Sequence, residues 1–184
     1  MERRLSMIRT VFAGFILACA ATNAMAVGGD TDAPPKPTET TTVCTDGQIW
    51  DERTKTCVSP RESALDDAVL FAAAREFAHA GQLAAAETAL AAARNPETSQ
   101  FLTYRGFVAR NRGNWPRAAA RYHQALQRDP DNLLARSYYG QGLVAMGERD
   151  AAKAQLMEIR RRDGRGTWAY RALQMDLRGG GGGY

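Results

Sequence analysis

Residues 106–130 read GFVARNRGNWPRAAARYHQALQRDP, and the spacing of the small and aromatic residues in this stretch decides the fold. Three of its small residues return 34 positions further along the chain. The recurring pairs are Gly106 and Gly140, Gly113 and Gly147, and Ala118 and Ala152. Such a period predicts an array of repeats, each of which buries its apolar face against the next.

The order of residue types within the stretch predicts two antiparallel helices. Gly113 is suited to end the first helix in the left-handed conformation, because glycine has no Cβ to clash there. Asn114 can cap the second helix, which carries Pro116 in its first turn and is ended by Pro130. We expect Gly106 at the closest approach of the two helices, where a larger side chain would force them apart.

This pattern resembles the tetratricopeptide repeat (TPR), a helix–turn–helix unit of 34 residues. The resemblance implies an all-α fold, a TPR-like solenoid of about three helical hairpins with a capping helix at its C-terminal end. It places the helical domain at 59–178, with repeats at about 65–98, 99–132 and 133–166 and the capping helix at 167–178. In the first repeat Ala74 replaces the usual glycine, and Pro96 comes two positions early. The alternative is an unrelated helical hairpin protein rich in alanine.

The resemblance also implies a function, because TPR arrays generally bind a peptide or protein segment in the concave groove lined by their first helices. Its register assigns seven residues to that groove: Phe71, Arg75, Thr103, Phe107, Arg110, Ser137 and Gln141. Phe107 would supply apolar contact, and Arg75 and Arg110 would hold a carboxylate. The alternative is that these are ordinary surface residues of an array that serves stability or oligomerisation.

The N-terminus has the pattern of a secretory signal peptide over residues 1–26. Three arginines within the first nine residues are followed by an uncharged, largely apolar run over 10–22. Ala24 and Ala26 then form the small-x-small motif of a cleavage site, so we expect a periplasmic or secreted mature chain. Cys19 offers an alternative, because it ends a lipobox-like Ile-Leu-Ala-Cys and would then anchor the chain to lipid.

Residues 27–43 are rich in proline and threonine, and such a segment buries too little apolar surface to fold, so a disordered linker is predicted. Cys44 and Cys57 are the two cysteines that remain after cleavage, and export makes a disulfide between them the expected state. The bond would close a small hairpin over 44–58. The glycine-rich end, 179–184, is predicted to be a flexible tail.

The disulfide loop resembles the cysteine-bounded end of carbohydrate-binding modules of the chitin-binding peritrophin type, which read Cys-x-x-Gly-x-x-Trp/Phe-Asp. Five residues match this pattern: Cys44, Gly47, Trp50, Asp51 and Cys57. The resemblance implies that Trp50 stacks on a sugar ring, as in a cell-envelope carbohydrate-binding protein. The alternative is that Trp50 packs under the hairpin or against the first helix.

Composition and motifs give no support for other function classes. Lys and Arg number 24 against 20 Asp and Glu, and a net charge of +4 gives no reason to expect a nucleic-acid partner. His79 and His123 fall on different predicted helices, without the nucleophile and carboxylate that a catalytic site needs, so we expect no enzyme activity, cofactor or metal site. No apolar run after the signal peptide is long enough to span a membrane, although the arginines within 160–165 allow weak envelope association. The leading hypothesis is an exported, non-catalytic scaffold for a protein or peptide partner.

Overall fold

The computed structural model describes residues 32–62 and 64–179. The predicted signal peptide with Ala24 and Ala26, Cys19 and all of the glycine-rich tail except Gly179 lie outside these ranges. Within them the chain forms eight α-helices, a short 3-10 helix and one two-stranded sheet. In chain order the elements are α1 (Glu39–Thr42), β1 (Ile49–Asp51), β2 (Thr56–Val58), α2 (Asp67–His79), α3 (Leu83–Ala92), α4 (Ser99–Asn111), α5 (Trp115–Arg128), α6 (Leu133–Ala145), α7 (Arg149–Arg161), the 3-10 helix (Gly164–Gly166) and α8 (Trp168–Leu177).

The helices form three consecutive hairpins, which confirms the solenoid expected from the sequence. Helices α2 and α3, α4 and α5, and α6 and α7 pack against each other in pairs, and each first helix also contacts the first helix of the next pair. The last helix, α8, packs on both α6 and α7, where the first helix of a fourth repeat would lie. It therefore covers the end of the array that would otherwise be open.

The turn between α4 and α5 follows the local rules read from the sequence. Gly113 has φ +76, and the backbone N–H of Asn114 donates to the carbonyl of Ala109 at 2.9 Å. The N–H of Gly113 donates to the carbonyl of Arg110 at 2.9 Å, which completes a Schellman motif. The side chain of Asn114 then accepts a hydrogen bond from the N–H of Arg117 at 3.2 Å and caps α5.

Gly106 lies where α4 and α5 come closest, as predicted. A Cβ placed on Gly106 would stand 2.6 Å from Cε1 and 2.8 Å from Cδ1 of Tyr122. The Tyr122 ring is completely buried and fills the space that the missing side chain leaves. The glycine therefore sets the distance between the two helices of this hairpin.

The segment before the repeats departs from the disordered linker that its composition predicts. Residues 39–42 form the single turn of α1, and Thr38 caps it by accepting a hydrogen bond from the N–H of Thr40 at 3.2 Å. The N–H and hydroxyl of Thr38 each donate to the carboxylate of Glu76 on α2, both at 2.7 Å. The hydroxyl of Thr41 donates to the same carboxylate. A carboxylate 38 residues away thus orders this part of the chain.

A disulfide joins Cys44 to Cys57, as predicted, with their Cα atoms 5.6 Å apart. It ties the end of α1 to β2, and β1 pairs with β2 in antiparallel register with Trp50 opposite Cys57. Ile49 on β1 is only 1% exposed and belongs to the same apolar core as residues of the first hairpin. The disulfide hairpin is therefore packed onto the array. No helix among the described residues is long and apolar enough to cross a membrane.

Candidate functional site

Four aromatic side chains meet on the face formed by the first helices of the repeats; we call them the aromatic cluster. They are His79 on α2, Tyr104 and Phe107 on α4, and Tyr138 on α6. The ring centre of Phe107 lies 5.0 Å from that of His79 and 4.8 Å from that of Tyr138. Tyr104 and Tyr138 meet edge to face at 6.0 Å. The cluster joins all three first helices.

Hydrogen bonds and burial fix the charge state of the aromatic cluster. His79 Nε2 lies 3.2 Å from the hydroxyl of Tyr138 and 3.4 Å from that of Tyr104. Burial, and then the positive charges of Arg75 and Arg110, lower the pKa of His79 to about 4. Burial also raises the pKa of Tyr138 well above its usual value. Near neutral pH both rings are therefore uncharged.

Two arginines, Arg75 and Arg110, flank the aromatic cluster. The guanidinium carbon of Arg75 lies 6.0 Å from the ring centre of Phe71 and 5.8 Å from that of Tyr104. Arg75 Nε also donates to the Tyr104 hydroxyl at 3.1 Å. The guanidinium carbon of Arg110 lies 5.4 Å from the Phe107 ring centre and 5.7 Å from that of Tyr138. Aromatic faces attract such cations, so both groups are held in defined positions.

The sequence placed seven residues on an open groove, and the structure divides them into two groups. Phe71, Arg75 and Arg110 are partly exposed. The other four are almost completely buried, which corrects the prediction for them: Thr103 (1% exposed), Phe107 (1%), Ser137 (0%) and Gln141 (4%).

Contacts between neighbouring first helices explain this burial. Thr103 accepts a hydrogen bond from the Asn132 amide at 3.2 Å, at the start of the next repeat. Ser137 donates to the carbonyl of Ala169 on α8 at 2.7 Å, and the amide of Gln141 donates back to the Ser137 hydroxyl at 3.2 Å. Thr103 and Ser137 therefore join neighbouring elements instead of facing a ligand, and Gln141 supports Ser137 from the same helix.

A cavity of ≈ 250 Å³ opens beside the exposed part of this face, between α2, α4 and the start of α6. Arg75 and Phe71 line it together with three acidic residues, Asp32, Asp129 and Asp131. The chain's own N-terminal segment also reaches this place, because Arg75 Nη2 donates to the carbonyl of Ala33 at 2.8 Å. Arg75 therefore already holds a main-chain carbonyl at the edge of the cavity.

Comparison with known proteins identifies the helical units. Residues 109–175, a little over a third of the chain, match the family model described as tetratricopeptide repeat. This segment is a tetratricopeptide-repeat array. The match runs from the end of α4 through most of α8, and TPR domains typically bind protein partners. No curated protein and no solved structure matched the chain.

The first hairpin lies outside the matched TPR segment but repeats its local geometry. Gly81, between α2 and α3, has φ +75, which is close to the φ +76 of Gly113 in the matched segment. The N–H of Gln82 donates to the carbonyl of Phe77 at 2.8 Å, as the N–H of Asn114 does to Ala109. Helix α2 therefore ends in the same way as α4.

The disulfide hairpin is the second place where the sequence suggested a site. Trp50 is partly buried, and its backbone N–H donates to the hydroxyl of Thr40 at 3.2 Å. A cavity of ≈ 730 Å³ lies between the hairpin and the start of α3, with Gly47 and Leu83 among its lining residues, but Trp50 does not line it. Sugar stacking by Trp50 stays a prediction.

Within the described ranges, no group of three or more His, Cys, Asp or Glu side chains is placed to hold a metal ion. His123 is exposed and lies 3.0 Å from the hydroxyl of Tyr139, on a different helix from His79. The helical array thus holds the two histidines in separate aromatic surroundings.

Sequence reasoning missed three features of the first helices and their contacts. Tyr104 and Tyr138 are 34 residues apart, so the repeat period could have identified them as an equivalent pair. No sequence pattern pointed to Glu76 as an anchor, because its hydrogen-bond partners, Thr38 and Thr41, lie far away in the sequence. The contact of Ala33 with Arg75 was hidden for the same reason, and because its segment was predicted to be disordered.

Proposed function

We propose that the protein is a non-catalytic scaffold that binds an extended segment of a partner protein on the concave face of its TPR array. The observation that carries the proposal is the pair of arginines, Arg75 and Arg110, each held over aromatic rings on this face, with Arg75 also lining the cavity. Guanidinium groups bind carboxylates and carbonyl oxygens through several N–H donors fixed in one plane. The partly exposed ring of Phe71 adds an apolar contact.

The bond between Arg75 and the carbonyl of Ala33 supports an extended main chain as the ligand. An extended segment presents its carbonyls at regular intervals, and a row of fixed donors can read them without help from its side chains. Arg110, which does not line the cavity with its three aspartates, favours a ligand that carries a carboxylate. The family typically binds protein partners, which agrees with this chemistry.

The experiment is a pull-down from the native cell envelope with the mature chain as bait, followed by affinity measurement with the purified partner. Because buried interface anchors commonly cost 2 kcal/mol or more when truncated, the Arg75→Ala/Arg110→Ala variant should weaken binding at least about tenfold. Phe107 is unsuitable for this test, because removing a buried ring would destabilise the fold itself by about 3–5 kcal/mol.

A matched control removes the same charge elsewhere. Arg117 and Arg128 are both exposed on α5, so Arg117→Ala/Arg128→Ala changes the net charge equally without touching the concave face. The control should bind as the unchanged protein does. If both double variants lose affinity equally, general charge attraction explains the binding, and if neither does, the partner binds elsewhere.

We also propose that the chain is exported and acts in the periplasm or outside the cell. The charged start, apolar run and Ala24-x-Ala26 motif support this, and a disulfide between Cys44 and Cys57 suits an oxidising compartment. The intact mass of the protein from its native host should fit a chain that begins at Val27. A mass that fits a lipidated chain beginning at Cys19 would contradict cleavage after Ala26 and indicate membrane anchoring.

A further inference from the structure

The segment that precedes α1 lies against the proposed binding site. We call residues 32–37, Asp-Ala-Pro-Pro-Lys-Pro, the proline segment. Its first four residues are partly buried, Asp32 lines the cavity, and the carbonyl of Ala33 accepts a hydrogen bond from Arg75. Lys36 and Pro37 are exposed. Asp32 and Ala33 thus contact the site, and Pro34 and Pro35, which follow them, are partly buried.

The composition of the proline segment suits recognition by this face. Pro34 and Pro35 have no N–H and fix their backbone near the polyproline conformation, so they offer carbonyl acceptors without donors. Proteins that read such segments use aromatic-lined grooves with hydrogen-bond donors. Here the rings of Phe71 and Tyr104 line the cavity together with Arg75, whose guanidinium is the donor. The rings and the guanidinium donor thus suit the prolines and carbonyls of the segment, while Asp129 and Asp131 line the same cavity.

The segment is also held close to the site by its attachment to the fold. Thr38, the residue that follows it, is fixed to Glu76 by two hydrogen bonds of 2.7 Å. Glu76 is the direct neighbour of Arg75 on α2, so both ends of the short stretch from Ala33 to Thr38 are bound to the same helix. A tether of this length gives an effective concentration in the millimolar range.

We propose that the proline segment occupies the partner site of its own TPR array, and that the partner carries a segment of the same chemistry. That segment has a carboxylate, a small residue and consecutive prolines, and it must displace residues 32–35 in order to bind. The inference rests on the proposed function, because it names the ligand class of the same concave face. In the free protein, the proline segment thus holds the site partly closed.

The test uses a fluorescent probe peptide of sequence Asp-Ala-Pro-Pro-Lys-Pro, capped at both ends, and the full mature chain. In the releasing variant, residues 32–35 are changed together: Asp32→Gly, Ala33→Ser, Pro34→Gly and Pro35→Ser. Against an effective concentration of about 1 mM, a probe with a Kd of about 0.1 mM should bind the releasing variant about tenfold more tightly than the unchanged chain.

Three controls make the result specific. Lys36→Ser/Pro37→Gly alters the exposed end of the segment and should leave probe affinity unchanged. Adding Arg75→Ala to the releasing variant should abolish binding, because the donor to the main-chain carbonyl is lost. A probe in which alanine replaces every proline should bind the releasing variant several-fold more weakly. Circular dichroism of each variant checks that the helices remain folded.

Two results would overturn the inference. Equal probe affinity for the unchanged chain and the releasing variant would mean that the segment does not compete for the site. Absence of probe binding to the releasing variant would mean that the face does not recognise this chemistry. If a partner from the pull-down still depends on Arg75 and Arg110 while the probe does not bind, the inference fails and the proposed function stands. If the partner is also insensitive to both arginines, the proposed function fails as well.

Discussion

The carboxylate of Glu76 should be the main attachment of the N-terminal segment to the TPR array. Glu76 is only 6% exposed, and its oxygens accept hydrogen bonds from the N–H and hydroxyl of Thr38 and from the hydroxyl of Thr41. Thr38→Val/Thr41→Val removes both hydroxyl donors and leaves the carboxylate buried with one of these three donors. Hydrogen bonds to charged groups contribute about 1.5–3 kcal/mol each, so the pair should cost about 3–6 kcal/mol.

A third change decides whether this loss comes from Glu76. Replacing both partners of a buried hydrogen bond by apolar groups is nearly neutral, whereas removing one leaves an unsatisfied group. Adding Glu76→Met to the two threonine changes removes the under-satisfied carboxylate but also the acceptor of the Thr38 N–H, which belongs to an exposed residue and can bond to water instead. The triple variant should therefore recover part of the lost stability. A triple variant that is less stable than the double variant would refute the reasoning, because it would show that burying the carboxylate without the two hydroxyls carries no net cost.

Two measurements are needed, because the N-terminal segment can detach without unfolding of the repeats. Urea unfolding followed by circular dichroism gives the global free energy, and hydrogen exchange over residues 38–58 gives the local one. Thr42→Val is the matched control, because its exposed hydroxyl donates to the carbonyl of Thr38 and does not bond to Glu76. The control should change stability by no more than about 0.5 kcal/mol.

Three further predictions concern the core, the disulfide and pH. Gly106→Leu should lower the free energy of unfolding by about 1–3 kcal/mol or more, because even its Cβ would lie 2.6 Å from the Tyr122 ring; unchanged urea stability would contradict this contact. Reduction of Cys44–Cys57 should cost about 3 kcal/mol in thermal unfolding yet leave the far-ultraviolet helical signal at 25 °C nearly unchanged, because the repeats keep their own contacts. Since the pKa of His79 falls from 6.5 to about 4 on folding, the unfolded chain binds more protons in that window, and stability should decrease as pH falls through it. This loss of stability is at most about 3 kcal/mol, and the partial exposure of His79 reduces it. The His79→Gln variant should therefore lose less stability between pH 7 and 4 than the unchanged chain. An equal loss in both would contradict the assignment of this pH dependence to His79.

The features that followed from the sequence are those set by local chemistry. The left-handed Gly113 and the capping Asn114 depend on residues within one turn, and the structure reproduces both. Gly106 followed from the repeat period, because a small residue at this position must face the partner helix of the same hairpin. In each case the deciding partner lies less than one repeat away in the sequence.

The features that sequence could not give depend on distances between repeats. Thr103 and Ser137 have the register of groove residues, yet close approach of the next first helix buries both. The period specifies which face a residue occupies but not how far apart neighbouring faces lie. The composition of residues 27–43 predicted disorder at Thr38 for a similar reason. The buried acceptor that orders Thr38 is Glu76, which lies 38 residues further along the chain.

Attachment of the N-terminal segment to Glu76 and occupation of the binding site by the proline segment are linked. The reason is that Arg75, which binds the carbonyl of Ala33, and Glu76, which binds Thr38, are consecutive residues of α2. If the bond to Glu76 is lost, the next fixed point after Ala33 is Thr40, which is buried and accepts a hydrogen bond from the backbone N–H of Trp50, so the tether grows from about five residues to about seven. Effective concentration falls roughly as the −3/2 power of tether length, which gives a decrease of less than about twofold. Glu76→Met should therefore raise probe affinity by less than about twofold, well below the tenfold effect of altering residues 32–35 themselves. An affinity gain as large as that of the releasing variant would mean that the anchor, and not the match between prolines and groove, holds the segment in the site.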